Sequence, residues 1–522
     1  MEANYPKYVL YGLLIVGSWL LSCLLHFQVF HLSLFPYPSS LLVSRRVVLP
    51  PALDASFLPP PPDGGGGDGV ERRRSSSSAR AEATCDGRYV YVLEVPPRFQ
   101  MLSECVEGSP VFEEPYHVCV LMANSGLGPV IPPAAGNGSV DGDIIPSTGW
   151  YNTDQYALEV IFHHRMRQYE CLTGDLAAAT AVYVAFYPAL ELNRHKCGSS
   201  ATERNEASRE FLRWLSSQPS WAALGGRDHF MVTARTTWMF RRDEAGDALG
   251  CGNGFLAQPE SGNMTVLTYE SNIWDRHDFA VPYPSYFHPS SAGEVAAWQD
   301  TVRANRRPWL FAFAGGRRAN GTLPIRDHII DECTASPPGR CGMLDCSHGL
   351  EGSITCRSPR RLVALFASAR FCLQPPGDSF MRRSSIDTVL AGCIPVFFHE
   401  ASTFKKQYRW HERDDDTTTT TDADRRRYSV VIDPDDVVEG RVRIEEVLSR
   451  FTDDEVAAMR EEVIKMIPRF VYKDPRVRFE GDMRDAFDIT FDEIMGRMRR
   501  IKKGEILGWK QDGDDDVITK DS

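Results

Sequence analysis

The chain has no excess of positive charge. Its 70 acidic residues outnumber 58 lysines and arginines, for a formal net charge of −12. That balance argues against a general nucleic-acid binder and fits a neutral or sugar substrate better than a polyanion. From Tyr8 to Phe35 charge of either sign is missing, and Leu, Ile, Val, Trp and Phe fill a stretch in which only His26 and His31 titrate near neutral pH. The stretch is long enough to span a bilayer, exceeds a usual signal-peptide core, and is followed by no clear small-x-small cleavage site. It is read as an uncleaved anchor. The next stretch, 36–84, holds few large apolar groups and includes PPPP, GGGG and SSSS, so it cannot build a core and is read as a disordered stem. The sequence also lacks two clean C-x-x-C pairs, which disfavours a structural zinc site even with His348 as an extra ligand. Twelve of the thirteen cysteines lie beyond the anchor, and Cys333, Cys341, Cys346 and Cys356 crowd one segment. Disulfides formed in an oxidising compartment explain that usage best.

What is present beyond the stem has the composition of a globular protein, with 43% hydrophobic and 25% charged residues over the whole chain, enough to bury a sizeable core. Strand-like runs at 89–93, 181–187, 230–233, 266–269 and 309–314 are separated by loops or helical segments, among them a helix over 155–169. This alternation predicts an α/β fold with parallel sheets. It divides the chain into a cytoplasmic tail (1–7), the anchor (8–35), the stem (36–84), a first lobe (85–295), a second lobe (300–480) and a C-terminal helix with an acidic tail (481–522). Lys7 on one side of the anchor and Arg45-Arg46 on the other leave the positive-inside balance weak. A lumenal placement of the large portion therefore rests on the cysteines and on three glycosylation triplets, at Asn137, Asn263 and Asn320. The low-complexity run 414–427, DDDTTTTTDADRRR, and the acidic 514–516 lack the rigid loop a metal ion needs and read as solvated segments.

Residues 371–400, FCLQPPGDSFMRRSSIDTVLAGCIPVFFHE, carry the most chemistry. Phe371-Cys372-Leu373 is strand-like, and Pro375-Pro376-Gly377 forces a turn at its carboxyl end, where ligands bind in open α/β sheets. A helix is predicted from Ser379 to Ala391. Its amino terminus, with free N–H groups, a positive dipole and Arg382 and Arg383 in the first turn, suits a diphosphate. Gly377, Asp378, Ser379 and Ser384 complete this cradle. Asp387 stands in D-x-x-x-A-G-x-I-P-V, which resembles the carboxylate, glycine and Pro-Val signature of two-domain (GT-B type) glycosyltransferases, whose carboxylate holds the donor ribose. Taken singly, each of these charges reads as an ordinary ion pair on a helix surface. A second strand, Trp309 to Ala314, ends in Gly315-Gly316-Arg317-Arg318 and repeats the logic as a second phosphate loop.

Together with Gln155 to Thr173, Asp228 to Arg242, Phe279 to Pro289 and Ala458 to Pro475, these motifs resemble the exostosin-like glycosyltransferases (family 47), and within them the plant xyloglucan galactosyltransferase branch. The resemblance runs through most of 86–500. It implies two Rossmann-like lobes, a Golgi type II membrane protein with a lumenal catalytic region, and inverting transfer from a nucleotide sugar, UDP-galactose foremost, to a cell-wall polysaccharide such as xyloglucan. It implies no metal or other cofactor. Galacturonate or arabinose as the transferred sugar stays open, as do a silent scaffold role and assembly with other Golgi transferases. Where the family pattern carries an aspartate this chain has Met239, and Ala234 replaces a glycine. Of the candidate bases His163, Asp275, His277 and His288, His163 is preferred, while Trp238, Tyr283, Tyr286 and His288 are assigned to the acceptor.

Overall fold

The computed structural model describes residues 85–105, 118–132, 143–192, 200–242, 251–271, 278–318, 322–347, 355–412 and 428–506, all within one unit spanning 68–522. The described residues form two five-stranded sheets, and every strand pair is parallel. The first comprises β1 (Val90–Leu93), β2 (Ala181–Val184), β3 (His229–Val232), β4 (Thr265–Thr268) and β5 (Asp278–Ala280), paired in sequence order. Strands β2, β3 and β4 are buried at every position. A parallel sheet covered on both faces needs such strands, and AVYV, HFMV and TVLT meet it with β-branched and aromatic side chains.

The second sheet holds β6 (Trp309–Gly315), β7 (Cys341–Asp345), β8 (Ala369–Gln374), β9 (Ile394–Phe397) and β10 (Val430–Val431). Their order is β10-β9-β8-β6-β7. The chain leaves β6 toward β7 on one side and then returns past it to β8 on the other. A crevice opens where the order reverses, between the carboxyl ends of β6 and β8.

Parallel neighbours require crossover connections, and helices supply most of them. The principal ones are α1 (Leu158–Arg167), α2 (Ala201–Ser216), α3 (Ala292–Ala304), α4 (Pro324–Ala335), α5 (Pro359–Ala367), α6 (Arg383–Leu390), α7 (Asp453–Phe470) and α8 (Ala486–Lys502). Capping boxes start α2 at Ser200, α7 at Thr452 and α8 at Asp485, each satisfying N–H groups the helix cannot satisfy itself. After α7 the chain crosses back to the first lobe. Phe487 and Phe491 of α8 pack on Phe162 and Tyr169, with centroids 4.7 and 4.4 Å apart, while Arg88 pairs with Asp492 at 2.7 Å. The lobes are thereby joined at two crossings.

Two features differ from the sequence expectation, and the cysteines follow it. Strands β5 and β7 carry weak local signals: three residues in one case, CGMLD in the other. Gly342 is nevertheless required within β7, since a Cβ there would lie 2.8 Å from Leu365 Cδ1 of α5 and 3.1 Å from the Trp309 ring. Helix α6 begins at Arg383, four residues later than expected, because Arg382 is extended (φ −138°, ψ 146°) and the segment before it is drawn to the first lobe. The crowded cysteines form Cys333–Cys341 and Cys346–Cys356, and Cys85–Cys171, Cys105–Cys119 and Cys372–Cys393 are also bridged. Their sulfurs are held by one another and are not zinc ligands. Among the described residues no helix is long and apolar enough to cross a membrane; the anchor at 8–35 and the stem lie outside them.

Candidate functional site

The crevice between β6 and β8 collects arginines from three stretches of sequence. Arg318 follows β6, Arg326 lies in the first turn of α4, and Arg382 precedes α6. Arg326 and Arg382 flank Gly377, where a Cβ would sit 3.1 Å from Arg326 Nη2 and 3.7 Å from Arg382 Cδ, and Arg318 reaches the next residue. Asp378 is the carboxylate in this group, exposed and paired with Arg318 at 2.7 Å. Burial, then Arg326 and Arg318, push the Arg382 guanidinium down to about 9, and burial followed by Arg318 pushes Arg326 down to about 10. Arg326 is 5% exposed and donates Nε–H to the Pro376 carbonyl at 3.2 Å. Among the described residues Arg382 has no ion-pair partner. Three guanidiniums with one carboxylate leave an uncompensated cationic cluster, which a dianionic phosphate group would relieve.

The other residues of the 371–400 motif divide by role. Gly377 donates its N–H to Ser379 O at 2.9 Å, closing the turn. Ser384 donates to Gln374 Oε1 at 2.6 Å, and Gln374 donates to Thr388 at 2.9 Å, so these side chains tie β8 to α6. Arg383 reaches toward the first lobe. Its Nη1 donates to Thr153 O at 2.6 Å, its guanidinium lies 3.8 Å from the Tyr286 ring centroid, and its Nη2 is buried with no hydrogen-bond partner among the described residues. Asp387, 1% exposed, accepts from Ser285 Oγ at 2.7 Å and faces Arg383 Nε at 3.8 Å. Burial raises its carboxyl above the usual range, opposed by Arg383 and Ser285.

The β6 loop is built differently from its reading as a bare phosphate loop. A Cβ on Gly315 would lie 2.4 Å from the Phe313 ring, and one on Gly316 2.9 Å from the Cys346 carbonyl carbon. Gly316 lets β6 and the loop after β7 pass closely, while Gly315 leaves room for the Phe313 ring of its own strand. Arg317 turns outward to pair with Asp331 and Asp327 of α4. The neighbouring Arg318 is the one that faces the crevice.

The residues assigned to the acceptor separate into two places. Tyr283 stacks on Tyr269 at 4.0 Å. Tyr286 lies beneath Arg383, its hydroxyl pushed up to about 12 by burial. His288 is buried between Tyr472 O (2.9 Å), Thr153 Oγ1 (3.0 Å) and Ser285 O (3.1 Å), and burial pushes it down to about 4. All three line the seam where the first lobe meets α6 and the Tyr472 segment. Trp238 stands apart beyond β3, half-buried, with the Arg242 guanidinium 4.3 Å from its ring and Met239 beside it. His163 on α1 has only first-lobe partners: Nδ1 bonds to the Tyr187 hydroxyl and Nε2 lies 3.7 Å from Glu94 Oε1. Hydrogen bonding to His163 lowers the half-exposed Glu94 carboxyl.

Sequence reasoning overlooked Arg326 and Glu270. Arg326 had no motif to mark it. Glu270 follows β4 and crosses the seam, accepting from Met381 N at 2.6 Å, and burial raises its carboxyl to about 7 against the opposing hydrogen bonds. Asn263 ends a short helix with its side chain exposed and donating to Gly225 O at 3.0 Å. Asn137, Asn320, Asp275, His277 and His348 lie outside the described residues, as do 414–427 and 514–516. Among the described residues no group of three or more His, Cys, Asp or Glu could hold a metal ion.

The Exostosin GT47 domain family matches residues 84–448. Xyloglucan galactosyltransferase MUR3 of Arabidopsis thaliana is 40% identical over 428 residues, covering 81% of this chain and 64% of that protein. Probable xyloglucan galactosyltransferase GT15 of Arabidopsis thaliana is 38% identical over 430 residues, covering 81% of this chain and 85% of that protein. Xyloglucan galactosyltransferase XLT2 of the same plant is 35% identical, covering 80% of this chain and 76% of that protein. Among solved structures, the GtfA/B complex is similar over 57% of this chain and 61% of that chain at 10% identity, with a TM-score of 0.27, too low to carry an argument. With a family match over most of its length and relatives of this identity, the chain belongs to the exostosin GT47 family of glycosyltransferases.

Proposed function

We propose that this protein is an inverting, GT-B-type galactosyltransferase that moves galactose from UDP-galactose onto xyloglucan. The observation that carries the donor half is the cluster of Arg318, Arg326 and Arg382 around Gly377, with Asp378 as its one carboxylate, at the switch point of the second sheet. In this reading the cluster takes the diphosphate and supplies the positive charge that stabilises the departing UDP, so no divalent ion is needed. Asp387 takes a ribose hydroxyl where Ser285 now donates. The names of the relatives support galactose and xyloglucan as donor sugar and acceptor.

Inversion requires a base for the acceptor hydroxyl on the face opposite the departing diphosphate. His163, held between Tyr187 and Glu94, fills that role in this proposal, and Trp238 offers a ring on which an acceptor sugar stacks. The anchor at 8–35, the Golgi lumen as compartment and glycans on Asn137, Asn263 and Asn320 belong to the same reading. Purified protein incubated with UDP-galactose and xyloglucan is expected to release UDP and yield a galactosylated product. Met239, at the family's aspartate position, supports a second reading as a silent partner of another transferase. Absence of turnover with every nucleotide sugar tested, with co-purification of an active transferase, would select it.

A further inference from the structure

Glu270 is a first-lobe side chain bonded to the donor loop of the second lobe. It extends the carboxyl end of β4 and is 6% exposed. Its Oε2 accepts the Met381 N–H at 2.6 Å, and Ser379 and the Phe380 N–H add to the hold on its carboxylate. The three residues it touches lead directly into Arg382. That arginine stands in the cluster in an extended conformation, one residue before α6 starts at Arg383. The segment beside Glu270 is anchored on the same surface: Ser271 N donates to Gln407 Oε1 at 3.0 Å, and Tyr408 OH donates to Tyr269 O at 3.0 Å. The Glu270 end is therefore fixed to both lobes.

We propose that Glu270 is a positioning residue for donor binding: by holding the Met381 N–H from the first lobe, it sets the extended conformation of Arg382 and so completes the phosphate-binding cluster only when the lobes are joined. This rests on the reading of the cluster as a diphosphate site. The acceptor-bearing lobe thereby acts on donor affinity without touching the donor. A buried charge-assisted hydrogen bond of this length has the strength to select one loop conformation over others.

The test is UDP binding by titration calorimetry on the full chain. Glu270→Ala is expected to raise the Kd for UDP about tenfold, the scale of one lost charge-assisted hydrogen bond. Glu270→Gln, whose amide oxygen still accepts from Met381 N, is expected to rescue affinity to within about twofold. The double variant Glu270→Ala/Arg382→Ala should bind no more weakly than Arg382→Ala alone, because Glu270 acts through Arg382. Additive losses in the double variant, or unchanged affinity in Glu270→Ala, would overturn the inference. If Glu270→Ala does not fold, Glu270→Asp keeps the charge and shortens the reach. It is expected to lose affinity as Ala would, and wild-type affinity would overturn the inference equally. Unchanged affinity in Arg382→Ala by itself would instead refute the diphosphate reading.

Discussion

The Ser285 hydroxyl donates to Asp387 Oδ1 at 2.7 Å across 102 positions of sequence, joining the loop after β5 to the middle of α6. A hydroxyl on a buried carboxylate is the contact a ribose hydroxyl would make there. In the proposed donor reading the pair ties the seam between the lobes to nucleotide recognition, with Arg383 and Tyr286 beside it.

Asp387→Ala is expected to weaken UDP and uridine alike, by about tenfold or more, since each loses a hydrogen bond to a charged group. The comparison of the two ligands by calorimetry checks this. Equal affinity for uridine in wild type and variant would exclude Asp387 from ribose binding.

The arginines should behave differently. Arg326→Ala and Arg382→Ala are each expected to raise the Kd for UDP by about tenfold to a hundredfold while leaving uridine affinity unchanged, because they meet phosphate only. Added salt should weaken UDP binding in wild type more than in either variant. Chelators should leave turnover unchanged if arginines take the place of a divalent ion.

His163→Gln separates chemistry from binding. A general base contributes about a hundredfold or more to turnover, so kcat should fall by at least that while the Kd for UDP is retained. Trp238→Ala is expected to raise the KM for xyloglucan oligosaccharides several-fold with little effect on UDP binding. Initial-rate kinetics with varied donor and acceptor distinguish the two.

The buried histidines should cost stability on acidification. Burial depresses His164 and His288 to about 4 and His411 to about 3. The native state refuses protons that the unfolded chain accepts below about 6.5. Unfolded chains bind more protons in that window, so stability is present above about pH 6.5 and is lost as pH falls toward the folded values, by up to about 1.4 kcal/mol per pH unit for each group. In thermal unfolding from pH 7 to 5 each histidine adds a downward slope to the midpoint, against the raised Glu159 and Glu270 carboxyls, which gain protons in the folded state. His411→Gln should reduce that slope, since His411 is held by Ala486 O and Thr490 well away from the arginine cluster.

Much of the proposed donor side is legible in the chain because its signals are local. An apolar run ending in Pro-Pro-Gly, two arginines where a helix starts, and a carboxylate five residues ahead of Gly392 need only backbone sterics and helix-end chemistry to interpret. Gly392 adopts φ +60°, a conformation that stops α6 and that L side chains rarely hold. The same local logic misassigned Arg317, because whether a loop arginine faces a crevice or the carboxylates of the next helix depends on where that helix lies. It also gave Gly316 a reason other than the close passage of strand and loop found there.

Residue order by itself determined an α/β chain with parallel strands, the turn after β8 and the paired arginines where α6 starts. Only the tertiary structure decided that Arg318, Arg326 and Arg382 converge. That meeting follows from the β10-β9-β8-β6-β7 order, which places the ends of β6 and β8 side by side although 59 positions separate Gly315 from Gln374. Ser285 on Asp387 and Glu270 on Met381 likewise exist only once the two sheets have docked. Burial then turns ordinary side chains into a depressed Arg382 and a raised Glu270, because low polarity and neighbouring charges act through space and not along the chain.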